Sequence, residues 1–283
     1  MPERILRAAT VVLHRAGAVF LVERPASARF FPSVWAFPGG KVDASDGDGD
    51  PAFRRGAIRE LHEETGLDVG EDAHLAPAGR LLTPPFGPIR FDTQFFLLEV
   101  ADAEEPAIIP GELVQGRWVE PARAVAEFER GLLPLAPPTL AVLRLAAAHG
   151  LAGAAAVAQA TDGLPHHRRF RIEVAPGIYT LPLPTRTLPP ATSTNAVVYG
   201  GASVLVVDPG PSEVEAVEPL LALLRSLASE GRRTRWVALT HHHPDHVGGL
   251  LAVAEETGAE VCAHAETEKR LPFKVDRLLA DGD

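Results

Sequence analysis

The sequence predicts two α/β (α+β) domains in succession, on three observations. The chain has 283 residues, against the roughly 150 typical of one domain. Each half mixes short β-branched runs with an amphipathic helical segment. Between the halves the composition changes: residues 137–163 are Ala-rich, and Asp162-Gly163-Leu164-Pro165 punctuates the run. The expected division is a first domain at 1–160, a linker at 161–168 and a second domain at 169–283.

In the first half, residues 8–13 and 18–23 are apolar runs parted by the turn Ala16-Gly17, which predicts two neighbouring strands. Phe53, Ala57, Ile58 and Leu61 recur at helical spacing and predict a helix over 53–65, closed by Gly66 as its C-terminal cap. Residues 91–100 and 116–119 read as later strands. In the second half, residues 169–174, 196–199, 203–208 and 236–240 read as strands, and 214–229 as an amphipathic helix. No repeat of fixed period is present.

Composition narrows the function classes. Hydrophobic residues make up 46% and charged residues 23%, the balance of a globular chain. The net charge of −10 disfavours an unaided basic groove for nucleic acid, although a metal-centred site in the second half would escape that argument. Cys262 is the one cysteine, so no internal disulfide forms, and a reducing cytoplasm is the expected compartment. Apolar runs in residues 1–21 are broken by Arg4, Arg7, His14 and Arg15, which fits neither a signal peptide nor a membrane span. A membrane partner is therefore not expected, and oligomeric state is not addressed by the sequence.

The most informative pattern of the first half is Gly39-Gly40-Lys41-Val42-Asp43, followed by Arg59-Glu60-Leu61-His62-Glu63-Glu64-Thr65-Gly66-Leu67. On a helix Glu60, Glu63 and Glu64 stand at i, i+3 and i+4, so three carboxylates crowd one face. A bare acidic face is more often simply solvated. A hard cation such as Mg²⁺, bound through carboxylates and substrate phosphates, would turn the repulsion into a site.

With its flanks, this pattern resembles the box of the Nudix hydrolase family, G-x5-E-x7-R-E-U-x-E-E-x-G-U. Arg59 through Leu67 match the second half, Gly40 matches the opening Gly, and Asp46 stands where the first Glu is expected, followed by about five inserted residues. The resemblance implies an α/β/α sandwich with a mixed sheet. It also implies Mg²⁺ or Mn²⁺ held by Glu60, Glu63 and Glu64, with the Gly39 carbonyl as a further oxygen and Arg59 orienting the carboxylates. Glu112 sits where many members place another metal ligand or base, with Glu99, Glu104 and Glu105 as alternatives. Phe30-Phe31-Pro32, residues 35–40, residues 90–96 and Pro137-Pro138-Thr139 look like the subgroup that includes peroxisomal coenzyme A diphosphatases. The similarity spans residues 5–145. The implied reaction is hydrolysis of a small-molecule diphosphate, coenzyme A-like or nucleotide-sugar-like.

In the second half, Thr240-His241-His242-His243-Pro244-Asp245-His246 follows an apolar strand. Imidazoles and a carboxylate this close suit zinc, or iron or manganese, and are hard to explain as packing. The motif resembles the metallo-β-lactamase fold, an αβ/βα sandwich. Carried over, His241 and His243 bind a first metal, Asp245 and His246 serve a second, and His242 is a variable position. Asp208, before Pro209-Gly210, would fix a ligand imidazole. The family's later ligands have no match, because His264 is the one histidine after His246. The resemblance thus implies the amino-terminal half of that fold.

The leading expectation is a Nudix-type pyrophosphohydrolase carrying an incomplete zinc-type domain. One alternative is a zinc-dependent hydrolase of a thioester, lactone or phosphodiester, with the first domain secondary. Another is a metal-dependent nucleotide-binding module without catalysis.

Overall fold

The structure is a computed structural model that describes residues 5–28, 31–83, 90–101, 104–109, 111–160, 172–186 and 191–283. The expected linker at 161–168, the start of the strand expected at 169–174, and Phe30 lie outside the described residues. The chain divides into two compact units, residues 1–165 and 166–283.

The first unit runs β1 (Ile5–Arg15), β2 (Ala18–Glu23), β3 (Trp35–Ala36), β4 (Gly39–Lys41), a 3₁₀ turn (Ala44–Asp46), α1 (Asp50–Thr65), β5 (Ala76–Leu82), β6 (Arg90–Glu99), β7 (Gln115–Val119), α2 (Pro121–Glu129) and α3 (Pro137–Ala160). Its mixed sheet has the order β3-β2-β1-β6-β5, with β4 also on β1 and β7 also on β2. β1 and β6 pair in parallel over ten residues. β1 is central and buried on both faces, as expected of an inner strand. Ala9, Val11 and Leu13 pack with Phe53, Ala57 and Leu61 of α1, whereas Val12 belongs to the core with Phe128 of α2 and Leu140 and Leu143 of α3. The result is an α/β/α sandwich.

α1 starts earlier than the periodicity predicts because Pro51 fits its first turn. It ends as expected at Gly66, whose left-handed φ of 67° lets its amide donate to the His62 carbonyl at 2.8 Å. α3 contains a stretch, Pro137–Ala156, long and apolar enough by length and composition to cross a membrane. In this unit its Leu140 and Leu143 are buried, and Gly150 at φ 71° interrupts the helical backbone.

The second unit runs β8 (Ile172–Ala175), β9 (Ile178–Pro184), β10 (Ser193–Gly200), β11 (Ser203–Val207), α4 (Val214–Ser229), β12 (Arg233–Leu239), α5 (Pro244–Val247), α6 (Leu250–Thr257), β13 (Glu260–His264), α7 (Ala265–Glu268) and β14 (Arg277–Leu279). The sheet order is β14-β13-β12-β11-β10-β9-β8. β8 to β11 pair antiparallel and β11 to β14 parallel. α4 has the predicted bounds, and its Val217, Leu220, Leu224 and Leu227 cover Val198, Val206 and Val237 of the sheet. On the opposite face Val197, Leu205 and Val207 are half-buried, and Tyr199 is 52% exposed. β9 and β14 were not expected from the sequence, whereas β13 ends at Cys262-Ala263-His264, where the sequence places a strand end. Cys262 is buried in β13, and His264 caps α7, its Nδ1 accepting from the Glu266 amide at 3.2 Å.

Candidate metal sites

Among the described residues each unit carries a cluster of candidate ligands, assembled where a strand gives way to a loop or meets a helix. In the first unit, α1 lies against β4 because β4 is glycine where the two approach. A Cβ on Gly40 would sit 2.3 Å from Glu60 Oε2, and one on Gly39, whose φ is 146°, would sit 2.3 Å from the Ala9 carbonyl oxygen. The Gly39 amide donates to Glu64 Oε2 at 2.8 Å. Glu64 is buried, and burial pushes its carboxyl up to about 8. The Gly39 hydrogen bond opposes this, the charge of Glu60 adds to it, Arg24 opposes it, and Glu112 adds to it.

Burial also raises Glu60, against the pull of Arg59 and with Glu63 and Glu112 adding repulsion. Glu112, exposed in the turn before β7, therefore stands close enough for its charge to act on both glutamates. Glu63 faces solvent at the edge of the group, with its side chain 51% exposed.

Arg59 ties this acidic face together. It donates to Glu60 Oε1 at 2.9 Å, to Glu63 Oε2 at 2.7 Å, and to the Lys41 carbonyl at 2.8 Å. It also forks onto Asp46, with Nε to Oδ1 at 3.1 Å and a terminal nitrogen to Oδ2 at 3.0 Å. Hydrogen bonding to Asp46 pushes the guanidinium further up. Burial works against ionised Asp46, but the Arg59 and Asp43 hydrogen bonds and the charges of Arg59 and Arg55 outweigh it and hold the carboxyl low. The chain beyond Asp46 is anchored as well, since Arg55 donates to the Asp46 carbonyl and Arg7 to that of Gly47. Of the inserted residues, Gly47 closes the 3₁₀ turn, Gly49 caps α1, and Asp50 and Pro51 open that helix. Burial first, and the charges of Glu60 and Glu112 after it, thus work against an ionised Glu64, and a divalent cation would offset that cost.

In the second unit the cluster forms where β12 ends. Among the described residues, the group of three His, Cys, Asp or Glu donors lying mutually within 4.8 Å is Asp208, His241 and His246. Asp208 adopts a left-handed φ of 52°, which Asp tolerates better than most side chains. Its Oδ1 accepts from the Thr240 amide at 2.8 Å, and its Oδ2 accepts from the Thr240 hydroxyl at 2.6 Å. A carboxylate only accepts, so His246 Nδ1, 2.9 Å from Asp208 Oδ2, carries its hydrogen. The Thr240 hydroxyl has given its hydrogen to Asp208 and therefore accepts from His241 Nδ1 at 2.9 Å. Both rings are left with a lone pair on Nε2, the state a metal ligand requires.

The two rings lie 4.0 Å apart between centroids, and His243 is 4.7 Å from His241. Burial and the neighbouring His246 and His243 lower His241, while Asp208 and Asp245 oppose the shift. Asp245 Oδ2 lies 3.6 Å from His246 Nε2 and accepts from Thr194 at 3.0 Å. His242 stands beside His243, with centroids 4.9 Å apart. A pair of glycines lets the following loop close on this group: the Gly249 amide donates to the Gly210 carbonyl at 2.9 Å, and a Cβ on Gly249 would lie 2.4 Å from the Pro209 oxygen.

Sequence reasoning did not single out Thr240, Thr194, Asp43 or Arg24. Thr240 was visible as the residue ahead of His241, but its role depends on contact with Asp208, 32 positions away.

Comparison with known proteins accords with this two-part construction. Residues 4–137 match the model of the NUDIX domain, and residues 189–280 match that of the Metallo-beta-lactamase superfamily. "Putative nudix hydrolase 7" of Caenorhabditis elegans is 31% identical over 156 residues, covering 42% of this chain and 52% of that protein. The hydroxyacylglutathione hydrolase of Acidiphilium cryptum is 40% identical over 88 residues, 30% of this chain and 31% of that protein. A crystal structure of a NUDIX hydrolase from Alicyclobacillus acidocaldarius aligns with 29% identity and a TM-score of 0.48, over 54% of this chain and 95% of that one. The chain spans about half the length of the first relative and about a third of the second.

Proposed function

We propose that this chain, in which a Nudix domain is followed by a metallo-β-lactamase-superfamily domain, hydrolyses the pyrophosphate bond of a nucleoside diphosphate linked to a second moiety. Coenzyme A-like and nucleotide-sugar-like compounds are the substrate class. The observation that carries the reading is the carboxylate pair of half-buried Glu60 and buried Glu64, set against Gly39-Gly40 and close enough to Glu112 to feel its charge. Glu60, Glu63 and Glu64, with the Gly39 carbonyl, hold Mg²⁺ or Mn²⁺. The bound ion supplies charge neutralisation for the phosphates and acidifies water. Arg59, fixed by its fork on Asp46, orients Glu60 and Glu63. Glu112, exposed at the rim, takes the proton of the attacking water. The enzyme works in the cytoplasm.

The test is incubation with Mg²⁺ and a panel of coenzyme A, ADP-ribose, dinucleoside polyphosphates and nucleotide sugars, with products read by mass spectrometry beside Glu63→Gln. Cleavage at a pyrophosphate bond that the variant loses supports the reading. A panel member that binds tightly in Mg²⁺ yet stays intact favours a binding module instead.

A second reading rests on the His241 and His246 tautomers fixed through Thr240 and Asp208. Here His241 and His243 hold one Zn²⁺, Asp245 and His246 serve a second, and Asp208 orients His246. The relatives named hydroxyacylglutathione hydrolase favour a thioester substrate. Stoichiometric zinc together with hydrolysis of an S-acylglutathione supports it, and a metal-free chain inert toward that thioester removes it.

A further inference from the structure

Glu112 stands where charge alone would not keep it. Its charge acts against the ionised forms of both Glu60 and Glu64, so without a cation the carboxylates repel. Packing and hydrogen bonds must hold the Glu112 turn in place, and they come from the segment that precedes it.

Residues 104–109 lie as a strap across the carboxyl end of α1. The Ala107 amide donates to the Thr65 carbonyl at 2.8 Å and the Ile109 amide to the Glu64 carbonyl at 3.1 Å, which fills two of the acceptors a helix leaves open at its end. Between them Ile108 packs against the core that contains Phe53 and Leu61. It fits because β7 has a glycine beside it: a Cβ on Gly116 would sit 2.9 Å from Ile108 Cδ1 and 2.3 Å from Phe20 Cζ. The far side of the Glu112 turn is pinned as well, with Leu113 buried in the same core and the Val114 amide donating to the Glu23 carbonyl at 2.9 Å. Glu64 is thus held twice, at its carbonyl by Ile109 and at its carboxylate by Gly39.

The near end of the strap is latched to the end of β1. Arg15 donates to Glu105 Oε1 at 2.5 Å and to the Glu104 carbonyl at 3.2 Å. Its guanidinium lies 4.2 Å from the centroid of the Trp118 ring, and Trp118 Nε1 donates to Glu105 Oε2 at 3.4 Å. The Arg15 side chain is 17% exposed and that of Glu105 64%, so the arginine belongs to the body of the unit and the glutamate to the strap. A guanidinium stacked on an indole has a firmer hold than a bare surface pair.

We propose that Arg15 and Glu105 are positioning residues of the acidic site: by latching the strap they hold Glu112 beside Glu60 and Glu64, so that a divalent cation meets a set of carboxylates already assembled. This rests on the reading of that site as a Mg²⁺ or Mn²⁺ centre. A cation bound there turns the repulsion around Glu112 into attraction, so the closed latch and the bound cation favour each other.

The test is Mn²⁺ uptake by the full chain, followed through the electron paramagnetic resonance of the free ion, in a His241→Ala/His246→Ala background so that the acidic site is read. Glu105→Ala, at an exposed position, should weaken uptake about threefold to tenfold, the scale of an ion pair with a stacked guanidinium. Arg15→Gln should do the same, and Glu105→Gln, which keeps an oxygen for Arg15 and Trp118, should lose less. In a Glu112→Gln background Glu105→Ala should have no further effect, because the latch acts through Glu112. The proposal is overturned if Glu105→Ala leaves Mn²⁺ affinity unchanged, or if its loss is the same with and without Glu112, the mark of a general loss of stability. It is equally overturned if the chain carrying the histidine substitutions alone takes up no Mn²⁺. Failure of the pyrophosphohydrolase reading looks different: Mn²⁺ binds and the Glu105–Glu112 coupling is present, yet no diphosphate of the panel is cleaved.

Discussion

Removing the charge of Glu64 should make the metal-free first unit more stable at alkaline pH, although the carboxylate lies at the centre of the proposed site. Burial holds Glu64 at about 8 in the folded chain, against an ordinary 4.5. An acid raised on folding binds its proton more tightly in the native state, so stability falls as pH climbs from the unfolded value toward the folded one. Below about 4.5 both states are protonated and the group contributes nothing, and above about 8 the penalty is complete. The displacement corresponds to about 5 kcal/mol at most, of which about 3–4 kcal/mol falls between pH 5 and 8. Glu64→Gln keeps an oxygen to accept the Gly39 amide and cannot ionise. The assay is urea unfolding in EDTA at pH 5 and pH 8, in a Trp236→Phe background so that fluorescence reports Trp35 and Trp118 of the first unit alone. The wild-type background should lose stability relative to Glu64→Gln as pH rises, and Mg²⁺ should restore it, because a cation bound to the native state stabilises it by mass action. Equal pH slopes for the two proteins, or a wild type that gains on the variant toward pH 8, would refute the electrostatic account.

Other consequences follow from the same geometry. Asp46→Ala should free Arg59 from its fork, costing about 1–3 kcal/mol in urea unfolding, and should weaken Mg²⁺ binding by calorimetry; Asp46→Asn should recover part of both. Gly40→Ala should lower Mg²⁺ affinity more than it lowers stability, since the added methyl meets the flexible end of Glu60. Asp208→Ala should deprive His246 and Thr240 of their acceptor and cut Co²⁺ or Zn²⁺ uptake about 10–100-fold by absorbance titration; unchanged uptake would mean that Asp208 does not position the ligands. Residues 166–283 expressed alone should self-associate in sedimentation and bind a hydrophobic dye, because among the described residues of this unit no helix covers the sheet face with Tyr199, Leu205 and Trp236; a monodisperse, cooperatively melting fragment would contradict this.

Local periodicity determined the elements that carry the sites. The bounds of β2 and α4, the end of α1 at Gly66 and the acidic i, i+3, i+4 face were legible because each depends on residues within one or two turns. The His241–His246 spacing likewise pointed to a candidate metal cluster without any fold. Short pieces escaped: β3 and β4 have two and three residues, too few to show alternation, and exist only because β1 and β2 offer them hydrogen bonds. β5 contains Pro77 and Gly79, which interrupt any strand pattern, and is held as a strand by pairing with β6.

What the three glutamates do differently was decided by tertiary structure alone. They look equivalent in the sequence, yet Glu64 is buried under the Gly39 amide while Glu63 stands in solvent beside Arg59, because α1 turns one edge of its acidic face toward β4. For Asp208 the resemblance implies that it fixes an imidazole, but which one, and by what backbone geometry, is decided in the fold. Its left-handed backbone aims one carboxylate at Thr240 and His246 together. Sequence spacing fixes which side chains share an element; charge state and tautomer depend on desolvation and on hydrogen bonds from distant segments, which exist only once the chain has folded.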